Sequence, residues 1–341
     1  MRKIMPFLLL AMLVSLACQR GQTELASAAR ADLQRLPAAS HMVFYCDVDK
    51  VTHSPLAEEV LQQLEKHMQR EVHDRDFAEF KAATGFDPRR DVHTVLVGAA
   101  PLPDSARRFG AIVRGRFDEQ RLRDYVKQKA AEEHAESPWR EETVGAYTLY
   151  IPHEKDGDMA FCFADSTTLY VGEREWLTAL LQNEKPESRG IKPAMLAALQ
   201  RKLRYGDQFW FALELTEEMK KSHHLPAELR HNFPKAEDIN AVAFSARVDK
   251  GLAFEGQVEC GKAETSKLLT EALRGGLAAA KLSVAADRPT VDALNSIAIE
   301  QKDNKMVMHG ELSEQFFNKL REQKLFIWDE KFAQRRPHGE I

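Results

Sequence analysis

Cysteine is scarce in this chain, with four among 341 residues, at positions 18, 46, 162 and 260. So sparse a set, so widely spaced, excludes a disulfide-dense secreted scaffold and the CxxC pairs of metal ribbons and redox sites. Charge of one sign is missing as well: 48 Lys and Arg stand against 52 Asp and Glu, mixed along the chain, for a formal net charge of −4. That balance lacks the electrostatic footprint of a nucleic-acid binder, so nucleic acid is not an expected partner. No Gly-x-Ser-x-Gly elbow, HExxH helix, Walker loop or GxGxxG fingerprint occurs. Their absence removes several large enzyme classes without removing enzymes in general. The apolar run at the N-terminus, Ile4 to Ala17, holds 14 residues broken in polarity by Ser15, short of the ~20 that a transmembrane helix takes.

What that run does match is a leader. Arg2 and Lys3 make a short positive segment ahead of it, and its length suits the apolar core of an export signal. Ser15-Leu16-Ala17-Cys18 resembles the lipobox of bacterial lipoproteins, with Ser15 standing where the family usually has Leu. The resemblance implies a signal peptide over 1–17 and a Cys18 that carries acyl groups (palmitate) and begins the mature chain. Two or more acyl chains are needed for a stable anchor. Gln19 is not the aspartate that family uses for inner-membrane retention, which points to the outer membrane, facing the periplasm. The alternative is an ordinary secretory leader cut near Ala17 or at Ala26 to Ala28, with Cys18 incidental. Loss of 17 residues from 341 leaves 324, and loss of Arg2 and Lys3 moves the net charge from −4 to −6.

Residues 19 to 40 are polar and Ala-rich, so 18–40 is expected to be a lipidated tether. "MVFYCDVD" then alternates as a half-buried strand, with Phe44, Cys46 and Val48 on one face. Ser54-Pro55 opens a helix carrying Leu56, Val60, Leu64 and Met68; a second helical piece with Phe77 and Phe80 stops at Gly85. "HTVLVGA" and "FGAIVRGRF" read as strands, and Asp118 caps a helix running to about residue 133. "AYTLYIP" and "MAFCFADSTTLYVGE" are further strands, turning around Asp165 to Thr167, and "REWLTALLQN" is a helix. From Asp207 the order recurs: "FWFALEL", a helical region from Thr216 to about Asn232, then "INAVAFSARV" and "GLAFEGQVEC". A long helical region follows, interrupted at Gly275-Gly276 and ending before Pro289. A hairpin turns at Asp303-Asn304, and Ser313 caps a last helix. The expected fold is α+β in two similar halves, 41–190 and 191–325, each a mainly antiparallel sheet covered on one face by helices, with a charged tail at 326–341. "LYVGEREWLTALL" and "VMHGELSEQFFNKL" support the correspondence, and convergence on a common strand and helix order is the alternative.

The leader, the "LPAAS" lead-in to a first strand ending in Asp, "TGFDPRRDV" and "VRGRFD" together resemble a family of uncharacterised exported bacterial proteins. The resemblance implies an envelope location and transfers no catalytic residues.

Side chains able to do chemistry are few and scattered. His223, His224 and His231 form the densest histidine group, but adjacent histidines point about 100° apart on a helix and Pro226 breaks the run. His67 and His73 lie six apart, a poor spacing for one face. No metal site and no cofactor are expected. Arg89 and Arg90 in "DPRRD" read as a solvated turn, and Asp47 and Asp49 as strand-end residues rather than an acid and base pair. Cys46 and Cys162 are candidates for one disulfide, with buried free thiols as the alternative for these and for Cys260. Phe209 and Phe211 read as core, and Trp328 as a contact residue beside the charged tail. The function expected is a lipid-anchored envelope protein that serves as a binding or envelope-maintenance module. The rivals are a carrier of a lipid or other apolar ligand and a hydrolase without a recognisable motif, so enzymatic activity is left open, leaning against.

Overall fold

Apolar alternation organises the chain into the strands of one sheet, seen in a computed structural model that describes residues 27–37, 40–58, 73–101, 107–132, 137–153, 158–182, 207–221, 236–285 and 287–322. In chain order the elements are α1 (Ser27–Arg35), β1 (Met42–Asp47), α2 (Val48–Thr52), α3 (His73–Thr84), α4 (Pro88–Asp91), β2 (Val92–Pro101), β3 (Arg107–Gly115), α5 (Glu119–Glu132), β4 (Trp139–Val144), β5 (Tyr147–Pro152), β6 (Met159–Asp165), β7 (Thr168–Glu173) and α6 (Arg174–Gln182). They continue as β8 (Phe209–Glu214), α7 (Glu217–Lys221), β9 (Ile239–Val248), β10 (Leu252–Cys260), α8 (Ala263–Ser283), α9 (Arg288–Asn295), β11 (Ala298–Lys302), β12 (Lys305–Leu312) and α10 (Glu314–Glu322).

The fold is α+β, and the strands among the described residues form a single antiparallel sheet of 12 in the order β11-β12-β10-β9-β8-β1-β2-β3-β7-β6-β5-β4. Two separate sheets were expected. They are one because β1 pairs with β8, from Met42 opposite Leu213 to Cys46 opposite Phe209, a contact between residues some 170 positions apart that no local signal encodes.

Local chemistry explains many of the element ends. Ser54 Oγ accepts from the Ala57 amide at 3.3 Å, Asp118 Oδ1 from Arg121 N at 3.1 Å and Ser313 Oγ from Phe316 N at 3.3 Å, each satisfying a donor that a helix start leaves without a partner. Gly85 ends α3 at φ 73°, and Asp303 turns the β11–β12 hairpin at φ 55°. The "DPRRD" stretch is α4: Asp87 caps it, and Asp91 Oδ2 accepts from the Asp87 amide at 2.7 Å. Asp91 is buried and lies 2.9 Å from Arg116, so this carboxylate ties α4 to the end of β3, while Arg90 stands exposed.

Register sorts side chains onto two faces. On the first, Cys162, Tyr170, Ile112, Leu96, Tyr45, Trp210 and Ser245 are successive cross-strand partners from β6 to β9, all buried. The row then turns polar at Glu255 and His309. α6 covers its β4 to β7 end with Trp176, Leu177, Leu180 and Leu181. Gly110 is where the Trp176 ring rests: a Cβ there would come within 2.2 Å of it.

α1 covers the same face, so residues 27–37 of the segment expected as a tether (18–40) pack on the domain. Ala29, Leu33 and Leu36 repeat at helical spacing and belong to the main core, with Leu33 and Leu36 1% and 0% exposed. Helices therefore stand on both faces of the β1–β7 region rather than one, since α5 lies on the other side. There Tyr150 donates to Glu119 at 2.9 Å and Phe117 packs on Phe163. α8 stands on that second face at the opposite end, with Gln301, a neighbour of Met306 in the register, donating to Ser266 at 3.4 Å.

Candidate functional site

On the second face, one row of residues runs in register across the sheet: Tyr150, Phe161, Val171, Ala111, Val97, Phe44, Phe211, Phe244, Gly256, Met308 and Ile299. No polar side chain interrupts it. Its ends are buried, Tyr150 beneath α5 and Ile299 beside α8, while every residue from Phe161 to Phe244 is half-buried. Flanking rows repeat the pattern, with Met42, Leu213 and Val242 on one side and Val95, Cys46 and Phe209 on the other, all half-buried. Phe109 on β3 is 38% exposed.

The aromatic rings along this face fall into two groups. Beneath α3 and α5, Phe80, Phe86, Phe117, Tyr125, Trp139, Tyr150, Phe161 and Phe163 pack with centroids 5.1 to 6.3 Å apart. Arg123 lies 4.9 Å above the Tyr150 ring. Burial and the bond to Glu119 push the Tyr150 hydroxyl up to about 12. In the second group Phe244 lies between Phe209 and Phe254, at 5.8 and 6.0 Å. Gly310 makes room for this group, because a Cβ there would meet Phe254 at 2.7 Å. Between the groups the band is aliphatic apart from Phe44 and Phe211. It offers apolar contact and no titratable side chain except the Cys46 thiol, which burial and then Asp47 push up to about 11.

Charged groups converge on the other face, where α1 meets β3 and β7. Arg114 holds Asp32 by two hydrogen bonds, its Nε at 3.0 Å, and donates to Thr168 at 2.5 Å. Thr168 donates to Asp165 at 3.2 Å, and Arg35 donates to the Tyr170 hydroxyl at 2.6 Å. The Asp32 bond, against the cost of burial, raises Arg114 further into its charged form. Bonds from Thr167 and Thr168 hold the Asp165 carboxyl below the usual range. The network of Asp32, Arg114, Thr168 and Asp165 fastens α1 to the sheet.

Ser40 and His41 are chain neighbours near the β1–β8 seam, where a histidine approaches a carboxylate that the sequence did not single out. His41 Nδ1 lies 3.7 Å from Glu214 Oε2. Ser40, however, is 2% exposed and its hydroxyl lies over Gly98, so no substrate reaches it as a nucleophile.

The other expected residues are dispersed. Asp47 caps α2 and Asp49 pairs with His53, which fits structural roles for both. Cys46 and Cys162 point to opposite faces and sit four strands apart in the sheet order, about 19 Å at the usual strand spacing and far beyond disulfide reach. Both are free, as is Cys260. Trp210 and Ala212, not Phe209 or Phe211, are the core residues of β8, 1% and 6% exposed against the two half-buried phenylalanines. Cys18, His67, His223, His224, His231, Trp328 and the tail at 326–341 lie outside the described residues, as does the side chain of His73. Among the described residues no three His, Cys, Asp or Glu side chains gather as metal ligands do, and no helix is long and apolar enough to cross a membrane. No protein-family model, no curated protein and no solved structure matches the chain.

Proposed function

We propose that this chain is a lipid-anchored cell-envelope protein, held through Cys18 at the outer membrane facing the periplasm, whose domain binds an apolar ligand on the face between α5 and α8. The observation that carries the binding assignment is the in-register apolar row. Strands at the middle of a sheet that are apolar on both faces are built to be covered on both. On this one the side chains from Val171 to Phe244, about 24 Å across six strands at the usual spacing, are left half-buried. A lipid acyl chain matches such a band in chemistry, and a protein fixed to a bilayer works where acyl chains are plentiful.

The sheet order also supports a domain of two similar halves. Outward from the central pair, β1-β2-β3-β7-β6 is matched by β8-β9-β10-β12-β11. α5 and α8 each follow the third strand of their series, and α6 and α10 each follow its last hairpin. A two-fold relation between halves places their equivalent first strands side by side at the centre, where the apolar row is widest.

Two experiments separate the parts of this proposal. Cys18→Ser should abolish palmitate labelling and release the protein from membranes; unchanged retention refutes the anchor. For the ligand, native mass spectrometry of the purified chain should show co-purified lipid, and a fluorescent fatty acid should bind with an affinity that Phe211→Asp lowers by tenfold or more. A ligand-free mass spectrum together with no binding of the probe refutes the carrier role whatever happens to the anchor.

A further inference from the structure

α1 fixes where the chain enters the domain. Its Asp32 is held by Arg114, one residue from the end of β3. Leu36 lies over Gly98, which is level with Gly110, four residues back along β3 from Arg114. Read toward its N-terminus, the helix therefore leads off the end of the sheet where β3 stops, β2 starts behind α4 and β6 turns into β7. Ser27, five residues before Asp32, stands about 7.5 Å further that way. The eight residues 19–26 that join it to Cys18 can span at most about 30 Å. β2, with 10 residues, is about 34 Å long, so an anchor at Cys18 cannot lie beyond the opposite end of the sheet.

Charge at the α4 end is layered. Lys50, Lys81, Arg90, Arg116 and Arg121 have side chains 50 to 67% exposed, whereas Asp47, Asp87 and Asp91, which pair with the first four, are 8 to 14% exposed. Lys50 belongs here because α2 packs beside α4. Asp118, the partner of Arg121, is exposed at this end, as are Asp49 and Asp165. Bases and acids nearly cancel at a distance, so this end does not draw a bilayer out of solution. A short tether removes that need, because it holds the two at high effective concentration. At contact the outer layer decides, and guanidinium groups bond phosphate in a bidentate fork.

We propose that the α4 end of the sheet lies against the bilayer, with Arg90, Arg116 and Arg121 meeting the phosphate groups of its lipids. The strands then stand away from the membrane and the opposite end faces open periplasm.

This orientation rests on the Cys18 anchor, and the test reads the two apart. In cells producing the full chain, a diazirine-bearing side chain at position 90 or 121 should form photo-adducts with phospholipid, identified by mass spectrometry. The same group in place of Glu175 or Lys302, both exposed at the opposite end, should form none. Arg90→Glu with Arg121→Glu should cut the adducts formed from position 50 by roughly fivefold or more, with palmitate labelling and the thermal midpoint unchanged. Palmitate-labelled protein that forms no adducts, or forms them equally from both ends, overturns the orientation and leaves the anchor standing. Undiminished adducts in the double variant overturn the role of the arginines. Protein that carries no palmitate and is free of the membrane overturns anchor and orientation together.

Discussion

Removing the Asp32 carboxylate tests whether α1 belongs to the domain. Asp32 is 3% exposed and bound on both oxygens by Arg114, whose side chain is 26% exposed. Breaking a buried pair from one side costs about 3–5 kcal/mol, because the remaining charge is left uncompensated. Partial wetting of Arg114 returns some solvation, so Asp32→Ala should cost about 2–3 kcal/mol, a large share of the ~5–15 kcal/mol by which domains are stable. Asp32→Leu combined with Arg114→Met removes both charges and should recover much of that loss, since apolar replacement of a buried pair is often near neutral. Urea unfolding followed by tryptophan fluorescence is a suitable assay, because Trp176 and Trp210 are buried on the α1 face. An Asp32→Ala cost below about 0.5 kcal/mol would refute the reasoning and return residues 27–37 to the status of a tether.

Gly110→Ala drives a Cβ to within 2.2 Å of the Trp176 ring and should destabilise by about 1–3 kcal/mol, as overpacking does; an unchanged thermal midpoint would mean that the ring does not sit on β3. Acid should weaken the fold through Asp91 and Asp165. Burial opposes the Asp91 carboxylate, but the Asp87 amide, Arg90 and Arg116 outweigh it and lower its pKa; Thr167 leads in lowering that of Asp165. A carboxyl lowered on folding gives stability that is present above its unfolded value near 4 and is lost as pH falls through the folded value. Unfolding midpoints measured from pH 7 downward should fall less steeply for Asp91→Asn than for the unaltered chain, and parallel curves would refute the assignment. The Cys162 thiol, pushed up to about 12 by burial and then Glu119, and Cys46 should both resist a thiol-reactive dye at pH 7.5 until urea unfolds the chain. Formation of a Cys46–Cys162 disulfide in the native state would refute the strand order.

Where a structural feature depends on residues a few positions apart, the sequence exposed it. The caps at Ser54, Asp118 and Ser313, the stop at Gly85 and the turn at Asp303 are all choices made within one turn of chain, and each appears where it was expected. α1 was missed although Ala29, Leu33 and Leu36 carry a 4-3 spacing, because arginine, serine and glutamine around them resemble a linker. β4 was missed because its central residues, "REET", are polar at an edge. The union of two sheets rests on β1 meeting β8, and nothing within either strand names the other.

The apolar row was beyond reach for a related reason. Strands β1 and β8, "MVFYCD" and "FWFALE", are apolar at both alternating sets of positions, so periodicity shows that two faces are apolar and cannot rank them. Only the placement of helices ranks them. α1 and α6 stand over Tyr45, Trp210 and their neighbours and make that face the core, which leaves Phe44, Phe209 and Phe211 half-buried on the other. Stability alone would place polar side chains at such positions, as this same sheet does at Glu255 and His309 on its other face. Phenylalanine, valine and methionine at six neighbouring central strands therefore form a face that, among the described residues, is less buried than the first, and the proposed acyl ligand would cover it.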